Sequence, residues 1–181
     1  MKAYRLIVVT TSLFIAGAGA APLTAAPGPT TPKATAPITA TLAGLGCTTS
    51  VGGASFEARS WSWGATMTGS GTTGGGGGAG KAVIDALTLS RVSDACSPKL
   101  FEAVVTGRHF TTFTLSQFDK DGVLRATVVL NEVFVKSWHV GGTNVSAEAA
   151  EEVELQFDKL TFKDEASGNT FSWDLIANRE G

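Results

Sequence analysis

From residue 38 onward, apolar and polar side chains alternate with a period of two, and only one stretch breaks into a helical spacing. The alternation predicts a first strand over Ile38 to Leu45, a glycine-rich turn over Gly46 to Gly53, and a second strand over Phe56 to Trp63 with Trp61 and Trp63 on one face. Gly69 to Gly80 holds eight glycines in twelve residues, which predicts a flexible excursion and no packed element. Lys81 to Val92 resumes as a strand with Val83, Leu87 and Leu89 on one side. The helical stretch follows. Ser97 is placed to cap it, Pro98 suits its first position, Gly107 suits a left-handed stop, and Leu100, Phe101, Val104 and Val105 form its apolar face.

Phe110 to Phe118 reads as extended, Asp119 to Gly122 as a hairpin turn, and Val123 to Val140 as a long strand. Within that strand the apolar side changes parity, from Leu124, Val128 and Leu130 to Val133 and Val135. The next strand does the same, from Val153, Leu155 and Phe157 to Leu160 and Phe162. A change of parity without a loop requires a bulge or a sharp bend, the device that wraps long strands into a barrel. Phe171, Trp173 and Leu175 mark a last strand. The pattern predicts a mainly β protein: an antiparallel β-barrel, built as two packed sheets, with one short α-helix.

The beginning of the chain follows other rules. Lys2 and Arg5 precede an apolar run from Leu6 to Ile15, too short to span a bilayer, and Ala18 and Ala20 occupy the small-residue positions of a cleavage site. Residues 1–20 therefore read as an export signal, the alternative being an uncleaved anchor, and the mature chain is expected to begin at Ala21. Residues 21–37 are rich in Ala, Pro and Thr and form a linker, since they have too few large apolar side chains to offset the entropy of ordering. Residues 38–181 make one domain. No later stretch is apolar enough to span a membrane, so no span is expected in the mature chain.

Without Lys2 and Arg5 the chain has 12 basic residues against 16 acidic ones, a net charge of −4, which excludes nucleic acid and anionic membranes as expected partners. Cys47 and Cys96 are an even pair in an exported, secreted or periplasmic, chain, and are expected to form a disulfide; the alternative is two buried thiols.

Several motifs carry less than they promise. Gly75 to Lys81 has the spacing of a phosphate-binding loop, but Ala82 stands where a Ser or Thr should hold magnesium, and a strand follows where a helix should begin. His109 and His139 together with Cys47 and Cys96 lack the local pairs of a zinc site. No nucleophile motif accompanies His109 or Ser97. Asp119 and Asp121 lack the remaining ligands of a calcium loop. Asn144-Val145-Ser146 fits a glycosylation acceptor, and Glu148, Glu151, Glu152 and Glu154 make an acidic patch read as solvated surface. No catalytic residue, cofactor or metal is expected.

The segment Gly74-Gly75-Gly76-Gly77-Gly78-Ala79-Gly80-Lys81, then Ser97 to Ala103 and Thr106 to His109, resembles the haemolysin-coregulated (Hcp) family of type VI secretion systems in order and spacing. Ser60-Trp61-Ser62-Trp63-Gly64 is similar to that family's second strand, and the likeness runs from Ile38 to Trp173. The resemblance implies a small barrel with one helix that assembles into six-membered, stacking rings. It also implies a chain whose first partner is itself, with secretion-system or extracellular proteins as further partners. Gly74 to Gly78, Gly80 and Lys81 are the expected self-assembly loop. One feature differs: the family's tube protein is made without an export signal, and a chain exported by the general route is not available to build a tube inside the cell. A monomeric secreted module that holds a glycan or protein through Trp61, Trp63 and the glycine loop is the alternative function.

Overall fold

The computed structural model describes residues 37–67 and 82–181 of the 181-residue chain. The stretch expected to be an export signal, the expected linker as far as residue 36, and the glycine run with Lys81 lie outside the described residues.

The first half of the fold is a set of short strands. These are β1 (Ile38–Leu42), β2 (Ser55–Glu57), β3 (Ser60–Ser62), β4 (Ala65–Met67), β5 (Ala82–Ile84) and β6 (Leu87–Val92). Helix α1 (Ser97–Thr106) follows. Longer strands make up the second half: β7 (His109–Phe118), β8 (Leu124–Gly141), β9 (Ala150–Gln156), β10 (Lys159–Asp164), β11 (Thr170–Asp174) and β12 (Arg179–Glu180). All pairings are antiparallel, and six of them close on themselves: β1 with β2, β3 with β6, β6 with β9, β9 with β8, β8 with β7, and β7 back to β1. The circuit is continuous because β2 runs on into β3 through Ala58 and Arg59, whose N–H groups bond to β1 on one side and β6 on the other. From β8 a three-stranded wing extends outward in the order β10, β11, β12. The expected barrel with one helix is therefore the observed fold.

The parity change in the long strands is a shared bend. Glu132 of β8 takes φ 53° between Leu130 and Val133. The register of β8 against β7 holds across it, from His109 opposite Phe134 to Gln117 opposite Ala126. Strand β7 changes parity at the same height, from Phe110 to Phe113, and the β9–β10 strand changes at Asp158. Phe113, Leu130 and Leu160 lie side by side below the bend and Phe110 and Val133 above it, all buried. Three strands thus turn together while each keeps an apolar side chain on the core, every such burial contributing about 1.5–3 kcal/mol. A register shift does occur, but further on, between Val135 and Ser137 of β8 against β9.

The structure corrects the sequence reading of the helix. Ser97 does not cap it: Cys96 is the N-cap and makes no side-chain cap bond. The Ser97 hydroxyl accepts the Asp94 N–H at 2.9 Å, and Asp94 in turn accepts the Cys96 N–H at 2.7 Å, so the turn before the helix is closed reciprocally. The buried face is Ser97, Leu100 and Ala103, while Phe101 and Val105 are half or more exposed. Gly107 ends the helix in the left-handed region at φ 62°, as the sequence predicts.

The stretch from Lys81 to Val92 is also two strands, not one. It breaks at Asp85 and Ala86, which puts Val83 outside and leaves only Leu87 and Leu89 on the core. The break is anchored where Asp85 N–H donates to the Gly64 carbonyl at 2.9 Å, and a Cβ on Gly64 would stand 3.0 Å from the Asp85 carboxylate.

Candidate functional site at the bridged end of the barrel

In the structure Cys47 and Cys96 are bonded, with Cα atoms 5.1 Å apart and 49 positions apart in sequence. The bond ties the loop after β1 to the first turn of α1, and Cys96 is fully buried. Arg108, just past the helix, adds a second tie to the same loop by donating to the Gly44 carbonyl at 2.8 Å.

Beside this bridge lies a cluster that the sequence reading passed over. Arg91 of β6 and Glu151 of β9 are direct cross-strand partners, and both side chains are buried. The Arg91 guanidinium lies 4.4 Å over the ring of Phe56, its Nε stands 3.6 Å from a Glu151 carboxylate oxygen, and it pairs with Asp94. The Ser93 hydroxyl donates to the other Glu151 oxygen at 2.7 Å. A signal was present: Arg91 has the parity of Leu87 and Leu89, and Glu151 that of Val153 and Leu155, so each charge continues an inward-facing row. Glu151 is therefore no part of a solvated acidic patch, unlike Glu148 and Glu152. Outside the cluster, an open groove of about 530 Å³ is bordered by Pro37, Glu57, Arg59, Asp94 and Glu148, and Arg59 pairs with Glu148 at 2.6 Å.

The other sequence candidates separate in space. Trp61 donates its indole N–H to the Gln117 side chain at 2.9 Å, Trp63 packs against Phe162 at 6.1 Å between centroids, and both tryptophans lean on the core. His109 lies 5.4 Å from the ring of Phe134, and His139 stands opposite Glu152 on the neighbouring strand. Among the described residues no three His, Cys, Asp or Glu side chains come together as a metal site. Residues 82–84 form a strand, so no helix begins where a phosphate-binding loop would require one.

Carboxyl groups with shifted pKa are stabilised as carboxylates. A side-chain bond from Lys136 holds Glu154 below its usual value, and the Val123 N–H, helped by Arg125 and the Asp121 N–H, does so for Asp119 at its hairpin turn. Pairs of large apolar side chains are exposed on α1 (Phe101 and Val105), on the wing (Phe171 and Ile176) and on the two-stranded β4–β5 sheet (Met67 and Val83), and Val123, Val140 and Val145 are exposed singly.

A family model described as type VI secretion system effector, Hcp, matches residues 47–163. No curated protein matches the chain. Among solved structures, one described as a type six secretion system protein is similar at 22% identity with a TM-score of 0.69, over 80% of this chain and 98% of that one. Hcp1 from Salmonella typhimurium is similar at 21% identity and a TM-score of 0.67, over 80% and 97%. A type VI secretion system effector from Yersinia pestis is similar at 16% identity and a TM-score of 0.62, over 76% and 98%. These chains share the fold of the barrel.

Proposed function

Since the chain belongs to the Hcp family of type VI secretion systems, we propose that it is an exported structural protein whose barrels join into rings, six to a ring as the family resemblance implies. The observation that carries this reading is the family match across residues 47–163, from the bridged loop to the wing, on a barrel that closes on itself. A ring needs two different contact surfaces on each copy, because a head-to-tail interface joins unlike patches. The apolar face of α1, with Phe101 and Val105, and the wing, with Phe171 and Ile176, supply two such surfaces on separate elements. The glycine run springs from the ends of β4 and β5, and we assign Gly74 to Gly78, Gly80 and Lys81 to the contact with a neighbouring copy, made through backbone hydrogen bonds. The role is non-catalytic. A glycan or protein platform built on Trp61 and Trp63 has no support, since both indoles are engaged internally.

Light scattering tests the ring. The wild type is expected to assemble, and a variant lacking Gly74 to Gly78 is expected to assemble more weakly with nearly unchanged thermal unfolding, since shortening a loop costs a folded domain little. A wild type that stays monomeric at high concentration overturns the ring, and a trimmed variant that assembles fully moves the contact to the apolar faces. Export is tested separately by the mass of protein recovered outside the cytoplasm, expected to begin at Ala21. An intact Met1 on that protein would exclude cleavage and return the chain to a role inside the cell.

A further inference from the structure

The two cysteines of the Cys47–Cys96 bond are not equally open to solvent. Cys96, the N-cap of α1, is fully buried, whereas Cys47 on the loop after β1 is partly exposed. A disulfide is cut by a thiolate that attacks one of its two sulfurs, and access decides which one. Attack from solvent therefore falls on Cys47, and the thiolate it displaces is that of Cys96. The start of a helix favours negative charge, which offsets part of the cost of forming that thiolate away from water. The carboxylate of the same turn, Asp94, is already paired with Arg91.

The loop on the Cys47 side depends on the bond far more than the helix does. Among the described residues, Gly46, Cys47 and Thr48 make no hydrogen bond or ion pair, so apart from packing the bridge is their one tie. Beyond them the bonds are local. The Gly52 N–H donates to the Thr49 carbonyl at 3.1 Å, the Val51 N–H to the Thr49 hydroxyl at 3.3 Å, and that hydroxyl to the Ser55 carbonyl. Before them the loop is pinned independently, at the fully buried Leu45 and at Gly44, whose carbonyl Arg108 holds. What the bond fixes is thus the segment from Gly46 to Gly53. Helix α1 keeps Leu100 and Ala103 on the core without it, and the six pairings that close the barrel use no residue of the segment. Thr49 and Ser50 of this segment also border the groove outside the buried charge cluster.

We propose that the Cys47–Cys96 bond is a thiol-operated latch on this segment and on the groove wall it forms. A small thiol, as its thiolate, bonds to the Cys47 sulfur; the sulfur–sulfur bond breaks, and its electron pair goes to the Cys96 sulfur, which takes up a proton. A second thiolate attacks the thiol-derived sulfur of the mixed disulfide and displaces the Cys47 thiolate. Two small thiols are oxidised to one disulfide while the bridge is reduced to two cysteines. The segment is held in an oxidising compartment and released in a reducing one, with helix and barrel still folded. The latch does not depend on the ring, because it lies within one chain.

Reduced glutathione, without denaturant, tests the latch on the oxidised chain that begins at Ala21. Samples stopped early with acid and then alkylated are expected to carry glutathione on Cys47 and the alkyl group on Cys96, at least about tenfold over the reverse. After full reduction, the amide order parameters of Gly46 to Gly53 are expected to fall from about 0.85 to below about 0.6, while those of Leu100, Ala103 and strands β7 to β9 stay near about 0.85. The Cys47→Ser, Cys96→Ser double variant is expected to show the same loosening without any thiol. Adducts on Cys96, or equally on both cysteines, overturn the proposal, as does a bond that resists glutathione until the protein is denatured. So does a reduced chain whose segment keeps its order parameters, or one whose helix and strands lose theirs along with it.

Discussion

Loss of the Cys47–Cys96 bond is expected to lower the stability of the barrel by about 4 kcal/mol, the chain-entropy value for a closed loop of this length. For a domain of this size, that is a fall in the unfolding midpoint of roughly 10–15 °C. In the folded chain the bond itself sits at one end of the molecule. Helix α1 has ten residues, too few to hold together alone, and relies on Leu100 and Ala103 against the core and on the turn at Asp94 to Ser97. Without the bond, the loop from Ala43 to Ala54 is held mainly by a few backbone bonds and by Arg108 on the Gly44 carbonyl. Thermal unfolding of the Cys47→Ser, Cys96→Ser double variant beside the unreduced wild type gives the number. Thiol labelling of the denatured, unreduced wild type is expected to find no free cysteine. A double variant within 1 kcal/mol of wild type, or two labelled cysteines, would show that the bond does not stabilise the protein in solution.

How much of this could be read beforehand depended on what each residue's position decides. Long strands were legible because a period-two row over ten or more residues has one reading: β7 and β8 stand within a residue of where the alternation put them, and the parity change located the bend. The kind of irregularity was not legible. A bend shared by three strands and a bulge in one produce the same change of parity, and only the register of the neighbours tells them apart. The helix was legible as a helix but not by its face. Phe101 and Val105 share a stripe with Leu100 and Val104, and which edge of that stripe meets the sheet is set by β8, where Trp138 takes the side of Phe101 at 5.4 Å. The strands of two or three residues, β2, β3, β4, β5 and β12, are too short to show a period by themselves, and pairing defines their limits. The buried Arg91 and Glu151 were visible as charges on inward-facing rows, yet each alone looks like a surface residue, and only the register brings them opposite one another.

That pair yields the other large expectation: Arg91→Ala is expected to cost 3–5 kcal/mol, the range for breaking a buried ion pair by removing one partner. Both side chains are shielded from water, and Nε of Arg91 makes no hydrogen bond among the described residues, so the pair is held by charge and by the Phe56 ring. With Arg91 gone, the buried Glu151 carboxylate keeps only the Ser93 hydroxyl at 2.7 Å, too little to offset the loss of water around a full charge. Asp94 is less affected, being about a third exposed. Replacing both partners by apolar residues of similar volume, Arg91→Met with Glu151→Leu, is expected to recover most of the loss, because neither buried charge is then left alone. Chemical denaturation of the wild type, both single variants and the double variant isolates the coupling. A single-variant cost under 1 kcal/mol would mean that water reaches the pair. The two charges also fix alignment, since a slip of one residue between β6 and β9 would turn one of them outward and leave the other buried without its partner. The double variant is therefore expected to fold with near wild-type stability but with a less firmly specified β6–β9 register, seen as faster exchange of the Leu89 and Val153 amides.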